Sequence, residues 1–262
     1  MTKEIQLLDH GYLRFIESWG SDERIIEAAR MSTNKGFNGW GPTDCSCSGT
    51  IVQDGYAAKD WDPNCPKCKG SGELPGDEKL LRYLYENKHA TPFEMAGMII
   101  EVKAPIFVFR EWHRHRTQSY NEMSARYTPL PDENYIPTVE RLLINSKTNK
   151  QAGTVAGAAE LTEGMALAYR LELAKMYREQ ERLYQHALAL GVPKELARIH
   201  LPVGRYSRMR ASTNLRNWLA FLTLRMASGA QWEIRQYANA TATLIQELFP
   251  RTYELFAEGR TS

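Results

Sequence analysis

Apolar residues recur at helical spacing in several segments, and these segments set the first expectations about the fold. A helix over 21–31 is expected because Ser21 can cap its first turn, and Asp22 and Glu23 suit its positive end. In the segments 77–87, 160–190 and 213–228, apolar residues recur three or four positions apart. We therefore predict further helices, the last of them stopped by Pro250, over 77–87, 160–190, 213–228 and 231–248.

Two further segments depart from this helical pattern. Residues 97–104 alternate in part and predict a strand, and Pro105 then stands where a short helix would begin. Residues 33–78 show no sustained periodicity, and a loop of that length is unusual in a compact domain. The pattern indicates an α+β protein, mainly helical with a small central sheet, in a single domain with a Cys-rich insert at 37–78.

Composition and charge restrict the class of protein. The chain has 262 residues, 43% of them hydrophobic, and a formal net charge of +2. The small net charge implies no strong attraction to nucleic acid or to an anionic membrane. No apolar run approaches the roughly 20 residues that span a bilayer, and the N-terminal segment lacks the apolar core of a signal peptide. We expect a cytoplasmic protein with neither nucleic acid nor membrane as a partner.

All four cysteines lie in the irregular segment, as Cys45, Cys47, Cys65 and Cys68. In a reducing compartment, clustered cysteines bind metal more often than they form disulfides. The second pair, with two residues between its cysteines and glycines after it, has the spacing of a zinc knuckle. We predict a structural zinc site with four thiolate ligands and no open position for catalysis. Free thiols on a flexible insert are the alternative.

The segment from Arg114 to Tyr127 reads RHRTQSYNEMSARY and concentrates cations and hydroxyls. Guanidinium groups suit phosphate oxygens because their paired N–H donors match paired acceptors. A basic surface loop is the other interpretation. The spacing favours a specific site, because Arg-His-Arg is followed by seven residues, then by Ser124, and then by Arg126 and Tyr127.

This run resembles the signature of the flavin-dependent thymidylate synthases, and the resemblance covers roughly residues 8–36 and 79–255. It implies that family's α+β fold and a homotetramer whose active sites are shared between subunits. It also implies that dUMP, methylenetetrahydrofolate and NADPH yield dTMP, tetrahydrofolate and NADP, with FAD as cofactor. The cysteines all lie outside the matching segments, which suits a route that needs no cysteine nucleophile.

The resemblance also assigns residues to two ligands by their positions in matching motifs. Cations near a flavin would stabilise its anionic reduced ring and hold its pyrophosphate. The flavin contacts implied are His89, Thr91, Arg114, His115, Arg116, Glu122, Asn214 and Arg216. The implied contacts with the nucleotide substrate are Glu111, Arg114, Glu122, Ser124, Ala125, Arg126, Arg198 and Arg225.

Arg225 is the catalytic residue that the resemblance implies. A guanidinium facing N3 and O4 of the pyrimidine would stabilise the negative charge that develops when hydride adds to C6. A snorkelling Arg is the structural alternative. For Glu122 the alternative is an ion pair with Arg126, four residues further on. Ser124 is interpreted as a phosphate ligand, since no base is fixed beside it that would make it a nucleophile.

Three positions depart from the family's usual residues. Glu111 stands where Gln is usual, Ala220 where Asn is frequent, and Gly229 where His is frequent. A carboxylate accepts hydrogen bonds but does not donate them, so Glu111 could disfavour a substrate oxygen or prefer an amino group. A related hydroxymethylase or a dCMP-modifying enzyme is therefore one alternative. A zinc-containing nucleic-acid-binding module is the other, although the low net charge disfavours it.

Overall fold

The structure is a computed structural model that describes residues 4–53, 56–145 and 153–261. The chain forms two compact units that are interleaved in sequence. The first unit consists of Met1–Glu17, Met98–Thr213 and Asn217–Leu244. The second unit consists of Ser18–Gly97, Asn214–Arg216 and Ile245–Ser262. The prediction of one domain with an insert at 37–78 stays a prediction.

Helices dominate the described part of the chain, and the α+β class is confirmed. The helices are α1 (Asp22–Arg30), α2 (Glu78–Glu86), α3 (Ala90–Glu94), α4 (Ile106–Trp112), α5 (Val139–Leu143), α6 (Glu163–Ala189), α7 (Lys194–Ala197), α8 (Leu215–Arg225), α9 (Trp232–Leu248) and α10 (Pro250–Thr261). The strands are β1 (Glu4–Leu7), β2 (Gly11–Trp19), β3 (Thr43–Asp44), β4 (Gly49–Gln53), β5 (Tyr56–Asp60), β6 (Glu73–Leu74), β7 (Gly97–Pro105), β8 (Ser119–Glu122) and β9 (Tyr206–Asn214).

A five-stranded sheet in the order β1-β2-β7-β9-β8 forms the centre of the first unit. The outer pairs are antiparallel, with Leu13 of β2 opposite Ile5 and Asn121 of β8 opposite Arg210. Alternate side chains of β7 point to one face, as the period of a strand requires. That face is fully buried, and its residues are Met98, Ile100, Val102 and Ala104.

Aromatic side chains from three helices pack in the core of the first unit. Trp112 of α4 stacks on Phe221 of α8, with ring centroids 4.6 Å apart. Tyr237 of α9 lies edge-on to Trp112 at 6.3 Å and donates a hydrogen bond to the carbonyl of Lys103 at 2.8 Å. A Cβ on Gly11 would lie 2.1 Å from the Tyr237 hydroxyl, so only glycine fits there. This packing fixes the end of α4, where the signature begins.

Two buried aspartates organise the second unit. Asp22, at the start of α1, accepts hydrogen bonds from the backbone N–H groups of Arg251 and Thr252 and from the Thr252 hydroxyl. It therefore caps the first turn of α10, which begins at Pro250. Burial raises the pKa of the Asp22 carboxyl, and these hydrogen bonds oppose that rise. The other aspartate, Asp77, pairs with Arg30 at the end of α1.

The two ends of the Cys-rich insert, which lies within the second unit, are hydrogen-bonded to each other. Asp77 donates its backbone N–H to the carbonyl of Gly39 at 2.9 Å, and its carboxylate accepts from the backbone N–H of Asn38 at 2.7 Å. The indole N–H of Trp40 donates a hydrogen bond to the carboxylate of Glu23 in α1. The guanidinium carbon of Arg251 lies 4.5 Å from the centroid of the Trp40 ring. The base of the insert is therefore held by hydrogen bonds and by a cation–π contact.

The predicted helices with clear end signals are confirmed. Ser21 caps α1 by accepting from the backbone N–H of Arg24, and helices cover 78–86, 163–189 and 232–248 close to the predicted ranges. The predicted helix over 213–228 begins later, at Leu215, because Thr213 and Asn214 still belong to β9. Pro92 does not prevent a helix, since it lies in the first turn of α3, where its missing N–H has no partner to lose.

The longest helix, α6, exposes much of its apolar surface. Tyr184 is fully buried, but Leu171, Met176 and Leu183 are 65%, 55% and 47% exposed. The stripe predicted along 160–190 is therefore only partly covered within one chain. No helix in the described part of the chain is both long and apolar enough to cross a bilayer.

Candidate active site

A hydrogen-bonded network around Arg225 joins two distant parts of the first unit. Arg225 ends α8, and its side chain is 15% exposed. Its Nε donates to Nε2 of His115 at 2.9 Å, and its two terminal nitrogens donate to the carboxylate and the backbone carbonyl of Glu111, each at 2.8 Å. The structure thus brings together three of the predicted substrate and flavin residues. Arg225 is not a snorkelling side chain, because its guanidinium is engaged by hydrogen bonds to the signature.

His115 is neutral in this network. Its Nε2 accepts the hydrogen bond from Arg225, so the proton of the neutral ring lies on Nδ1. Burial, aided by the positive charge of Arg225, lowers the pKa of His115 to about 4, and Glu111 opposes this shift. The ring lies edge-on to Phe221, with centroids 4.9 Å apart. His115 therefore contributes an acceptor and an apolar edge rather than a second positive charge.

The residues that follow the Arg-His-Arg triplet hold its backbone in place. The hydroxyl of Tyr120 lies 2.8 Å from the carbonyl of His115 and 3.1 Å from that of Trp112. The indole N–H of Trp112 donates to the side-chain oxygen of Gln118 at 3.0 Å. Within the described residues, the buried Nε2 of Gln118 has no hydrogen-bond partner. The signature therefore contains one amide donor that is shielded from solvent and unsatisfied among the described residues.

Arg114 and Arg116 flank His115 and have exposed side chains. Both lie in the turn between α4 and β8, whose backbone is held by the hydrogen bonds from Tyr120. The triplet therefore presents two guanidinium groups to solvent while its central histidine faces inward. This arrangement is compatible with binding of an anionic group by the outer two residues.

Part of the signature forms a strand, which was not predicted from the sequence. Residues 119–122 are β8, and Glu122 lies opposite Met209 of β9. An open groove of about 430 Å³ runs along this pair of strands. Its lining residues are Glu101, Asn121, Glu122, Met123, Arg208, Met209 and Arg210.

Sequence reasoning missed Arg208 and Arg210 as candidate functional residues. Both are exposed, and they alternate along β9 with Met209 and Ala211, which are buried. That period of two was the available signal for a strand with a cationic outer face. The two arginines add positive charge to the groove that contains the predicted Glu122.

The Ser124–Tyr127 segment forms a tight turn after β8. The backbone N–H groups of Tyr127 and Thr128 donate to the carbonyl of Ser124, and Ala125 is buried beneath the turn. The Ser124 hydroxyl accepts from the backbone N–H of Arg126 at 3.3 Å. The turn places the Ser124 hydroxyl two residues before the Arg126 guanidinium, and both groups are donors that suit a phosphate.

Helix α7 contacts this turn and precedes the predicted Arg198. Lys194 donates to the carbonyl of Tyr127 at 2.9 Å, and Glu195 forms an exposed ion pair with Arg126 at 3.3 Å. Among the described residues, the ion pair of Arg126 is therefore with Glu195 rather than with Glu122, the alternative considered from the sequence. Arg198, half-buried, directly follows the helix.

The second unit contains the remaining predicted residues. His89 is the N-cap residue of α3 but makes no capping hydrogen bond with its side chain, and Thr91 is exposed. Glu94, in the same HATPFE motif, accepts a hydrogen bond from Arg216 at 2.8 Å. Asn214 ends β9, immediately before α8. The two motifs predicted to contact flavin in this unit are therefore joined by an ion pair.

The four cysteines also lie together in the second unit. Their sulfur atoms are all within 4.8 Å of one another, and no disulfide joins them.

Comparison with known proteins identifies the family. The family model for thymidylate synthase complementing protein matches residues 14–251. A flavin-dependent thymidylate synthase of Thermus thermophilus is 36% identical over 254 residues, which cover 97% of this chain and 78% of that protein. The chain belongs to the flavin-dependent thymidylate synthase family. Membership identifies it as an enzyme and removes a nucleic-acid-binding module as the alternative.

Two further proteins that are similar to this chain extend the comparison. The flavin-dependent thymidylate synthase of Thermosipho melanesiensis is 35% identical, and the match covers 97% of this chain and 93% of that protein. Among solved structures, the UMP/dUMP methylase PolB from Streptomyces cacaoi, bound with 5-Br dUMP, has a TM-score of 0.71 at 29% identity. That match covers 97% of each chain. The resemblance drawn from the signature is confirmed.

Proposed function

We propose that the protein methylates dUMP to dTMP, with methylenetetrahydrofolate as carbon donor, NADPH as reductant and FAD as cofactor. The balance requires one methylene group from the folate, one hydride from NADPH and one proton from solvent, and it leaves tetrahydrofolate and NADP. The observation that carries the proposal is the placement of Arg225 by His115 and Glu111, both of which lie in or beside the signature.

Arg225 is proposed to face the pyrimidine. A guanidinium has five N–H donors, and three of those of Arg225 are used by Glu111 and His115. Two N–H groups therefore remain, among the described residues, for the O4 acceptor of a uracil ring and for N3 when the ring is deprotonated there. The network holds these donors in a fixed orientation before substrate binds. Preorganised donors stabilise developing negative charge without reorganisation during the reaction.

The donors present fit FAD. Arg114 and Arg116 expose two guanidinium groups that suit a pyrophosphate. We infer that these arginines with His115 and Glu122 hold the cofactor. His89, Thr91, Asn214 and Arg216, in the second unit, are proposed as flavin contacts because their motifs resemble those of the family. The chemistry that FAD supplies when bound is the transfer of a hydride that originates from NADPH.

The turn at Ser124 is proposed to bind the phosphate of the nucleotide. Ser124 and Arg126 would contribute a hydroxyl and a guanidinium, and Ala125, buried between them, is the third residue that the resemblance assigns to this phosphate. Arg198 is proposed to bind the same phosphate or that of a neighbouring subunit. The exposed Arg126–Glu195 pair is weak and can be exchanged for a phosphate contact at small cost.

A homotetramer with shared active sites is proposed as the assembly. The exposed apolar residues on α6, among them Leu171, Met176 and Leu183, form a surface of the kind that oligomers bury. Sedimentation of the purified protein would test the assembly independently of turnover.

The choice of base is the finer part of the proposal. From the sequence, Glu111 could have favoured an amino group and hence a cytosine nucleotide. In the structure its carboxylate accepts a hydrogen bond from Arg225, which weakens that expectation because this oxygen already has a donor. The similar protein PolB is a methylase of both UMP and dUMP, so the ribonucleotide is a second candidate substrate.

The test is product analysis. The purified protein, reconstituted with FAD, is incubated with NADPH and methylenetetrahydrofolate and with dUMP, UMP or dCMP, and the nucleotides are resolved by mass spectrometry. We expect a methylated product from dUMP and oxidation of NADPH that depends on it. A hydroxymethylated product or turnover of dCMP alone would support the rival enzyme. A preparation that does not bind flavin would contradict the proposal altogether.

A further inference from the structure

We propose that Cys45, Cys47, Cys65 and Cys68 bind one structural zinc ion in the insert of the second unit. This proposal is independent of the proposed function, because none of the four residues is assigned to flavin or nucleotide. It depends on the arrangement of the sulfur atoms, on the backbone that carries them and on the chemistry of thiolates.

The sulfur atoms have the separations of a tetrahedral site. Zinc binds thiolate at about 2.3 Å, so the corners of a regular tetrahedron lie about 3.8 Å apart. Sγ of Cys45 lies 3.8 Å from that of Cys65, and Sγ of Cys47 lies 3.5 Å from that of Cys68. These contacts are much longer than a disulfide bond, which measures about 2.05 Å. Each close pair joins the first half of the site, Cys45 and Cys47, to the second half, Cys65 and Cys68.

The backbone of the second half is shaped to present its thiols. Lys69 donates its backbone N–H to the carbonyl of Cys65 at 2.8 Å, which closes a turn between the two cysteines. The backbone N–H of Gly72 then points at Sγ of Cys68, at 3.3 Å. A backbone N–H directed at sulfur stabilises a thiolate, the form that binds metal. The turn therefore prepares Cys68 as a ligand.

The first half is joined to the second by backbone pairing. Cys45 donates its N–H to the carbonyl of Gly72 at 2.8 Å, and Thr43 and Asp44 form the short ladder of β3 with β6. Lys67 reaches from the second half to the hydroxyl of Ser46 at 3.2 Å. A zinc ion with four thiolates carries a net charge of −2, so a lysine beside the site is favourable.

The ligand set specifies the role of the metal. Three of the four cysteines are buried, and four protein ligands leave no open coordination position. The site is therefore structural. The hairpin β4–β5 lies between the two pairs of ligands, so the ion would fasten both ends of this hairpin at one point. Tetrahedral sulfur sites also accept iron, and the experiment must separate the two metals.

Metal content of the wild-type protein is the direct test. The full chain is expressed in medium with zinc, purified without chelator and measured by inductively coupled plasma mass spectrometry. We expect about one zinc per chain. After chelation, added Co²⁺ should give the intense absorption of tetrahedral cobalt thiolate. Less than about one-tenth of a metal ion per chain, iron in place of zinc, or cobalt without thiolate bands would each overturn the proposal.

Variants test the ligands. The double variant Cys65→Ser, Cys68→Ser should lose zinc, whereas Ser46→Ala, an exposed neighbour between two ligands, should retain it. Cys47→His should retain the metal but shift the cobalt spectrum, because an imidazole nitrogen replaces one sulfur. Full zinc retention in the double variant would contradict the proposal even if wild-type protein contained metal. Flavin absorbance of the double variant reports separately on the proposed active site.

Discussion

The Arg225 network and the cysteine cluster are both groups of polar side chains, but their members have different partners. In the network, donors meet acceptors: the guanidinium faces the carboxylate of Glu111 and the unprotonated nitrogen of His115. In the cluster, four like groups approach one another to within 4.8 Å. In the network the chain supplies both the donors and the acceptors, so the geometry is complete in the free protein. In the cluster the chain supplies only metal ligands, so the metal ion must come from solution.

Substitution of Arg225 should have the largest effect on turnover. Arg225→Ala removes the proposed donors to the pyrimidine and should lower kcat roughly 10²- to 10³-fold, the usual effect of losing a preorganised donor. Flavin binding, measured by absorbance, should persist. The control is Arg24→Ala, because Arg24 is exposed and pairs only with Glu27 in the described ion pairs. Undiminished turnover of Arg225→Ala would contradict the assigned role.

The cysteine cluster should be sensitive to a change that leaves every ligand in place. Gly70 has φ +81°, and a Cβ there would lie 2.5 Å from the carbonyl oxygen of Pro63. Gly70→Ala should weaken zinc binding roughly 10-fold or more, since a left-handed conformation costs about 1–2 kcal/mol before the steric clash is counted. Gly36→Ala, with no neighbour within 4 Å, should leave the affinity unchanged. Equal affinities in competition with a chelator would show that the turn does not position the ligands.

The network should make stability depend on pH. The folded-state pKa of His115 is lowered to about 4, so between about pH 6.5 and pH 4 the unfolded chain binds a proton that the folded chain does not. Stability should therefore fall as pH decreases through this window, by on the order of 1 kcal/mol between pH 7 and pH 5, because the ring stays partly solvated. His115→Gln keeps an acceptor for Arg225 and should flatten the dependence in urea titrations. Identical pH profiles would exclude His115 as its source.

The smallest expected effect concerns the charge of Glu111. Glu111→Gln keeps an oxygen acceptor for Arg225 but replaces a charge-assisted hydrogen bond by a neutral one, a loss of about 1 kcal/mol or roughly 5-fold in kcat/KM. Glu17→Gln, an exposed residue of β2, is the matched control. An increase in turnover with dUMP would instead indicate that the carboxylate opposes this substrate.

Helices with local end signals could be predicted from the sequence, whereas most strands could not. Ser21, two acids and a stripe of isoleucines define α1 within a few residues of one another. The strand β8 carries SYNE, which has no apolar alternation, and it forms because β9, almost ninety residues later, supplies its hydrogen bonds. Such pairing depends on distant residues that no local pattern contains.

The same limit applies to the candidate site. The resemblance identified Arg225 and His115, but their hydrogen bond joins residues 110 positions apart, and only the fold shows that Glu111 belongs to the same network. The cysteines were different, because ligand spacing within each pair is a local property. The strand with Arg208 and Arg210 could have been found from its period of two.

The hydrogen bond between Gly39 and Asp77 has a consequence for how this chain varies in length. Since the polypeptide leaves and returns at one place, everything between those residues forms a closed detour, anchored to α1 and α2 but not threaded through them. A short linker that joined Trp40 to Asp77 would keep the contacts of both residues with α1, and lengthening the detour would cost little, because closure entropy grows only logarithmically. The insert is thus a position at which extra sequence can be gained or discarded while the surrounding helices keep their places.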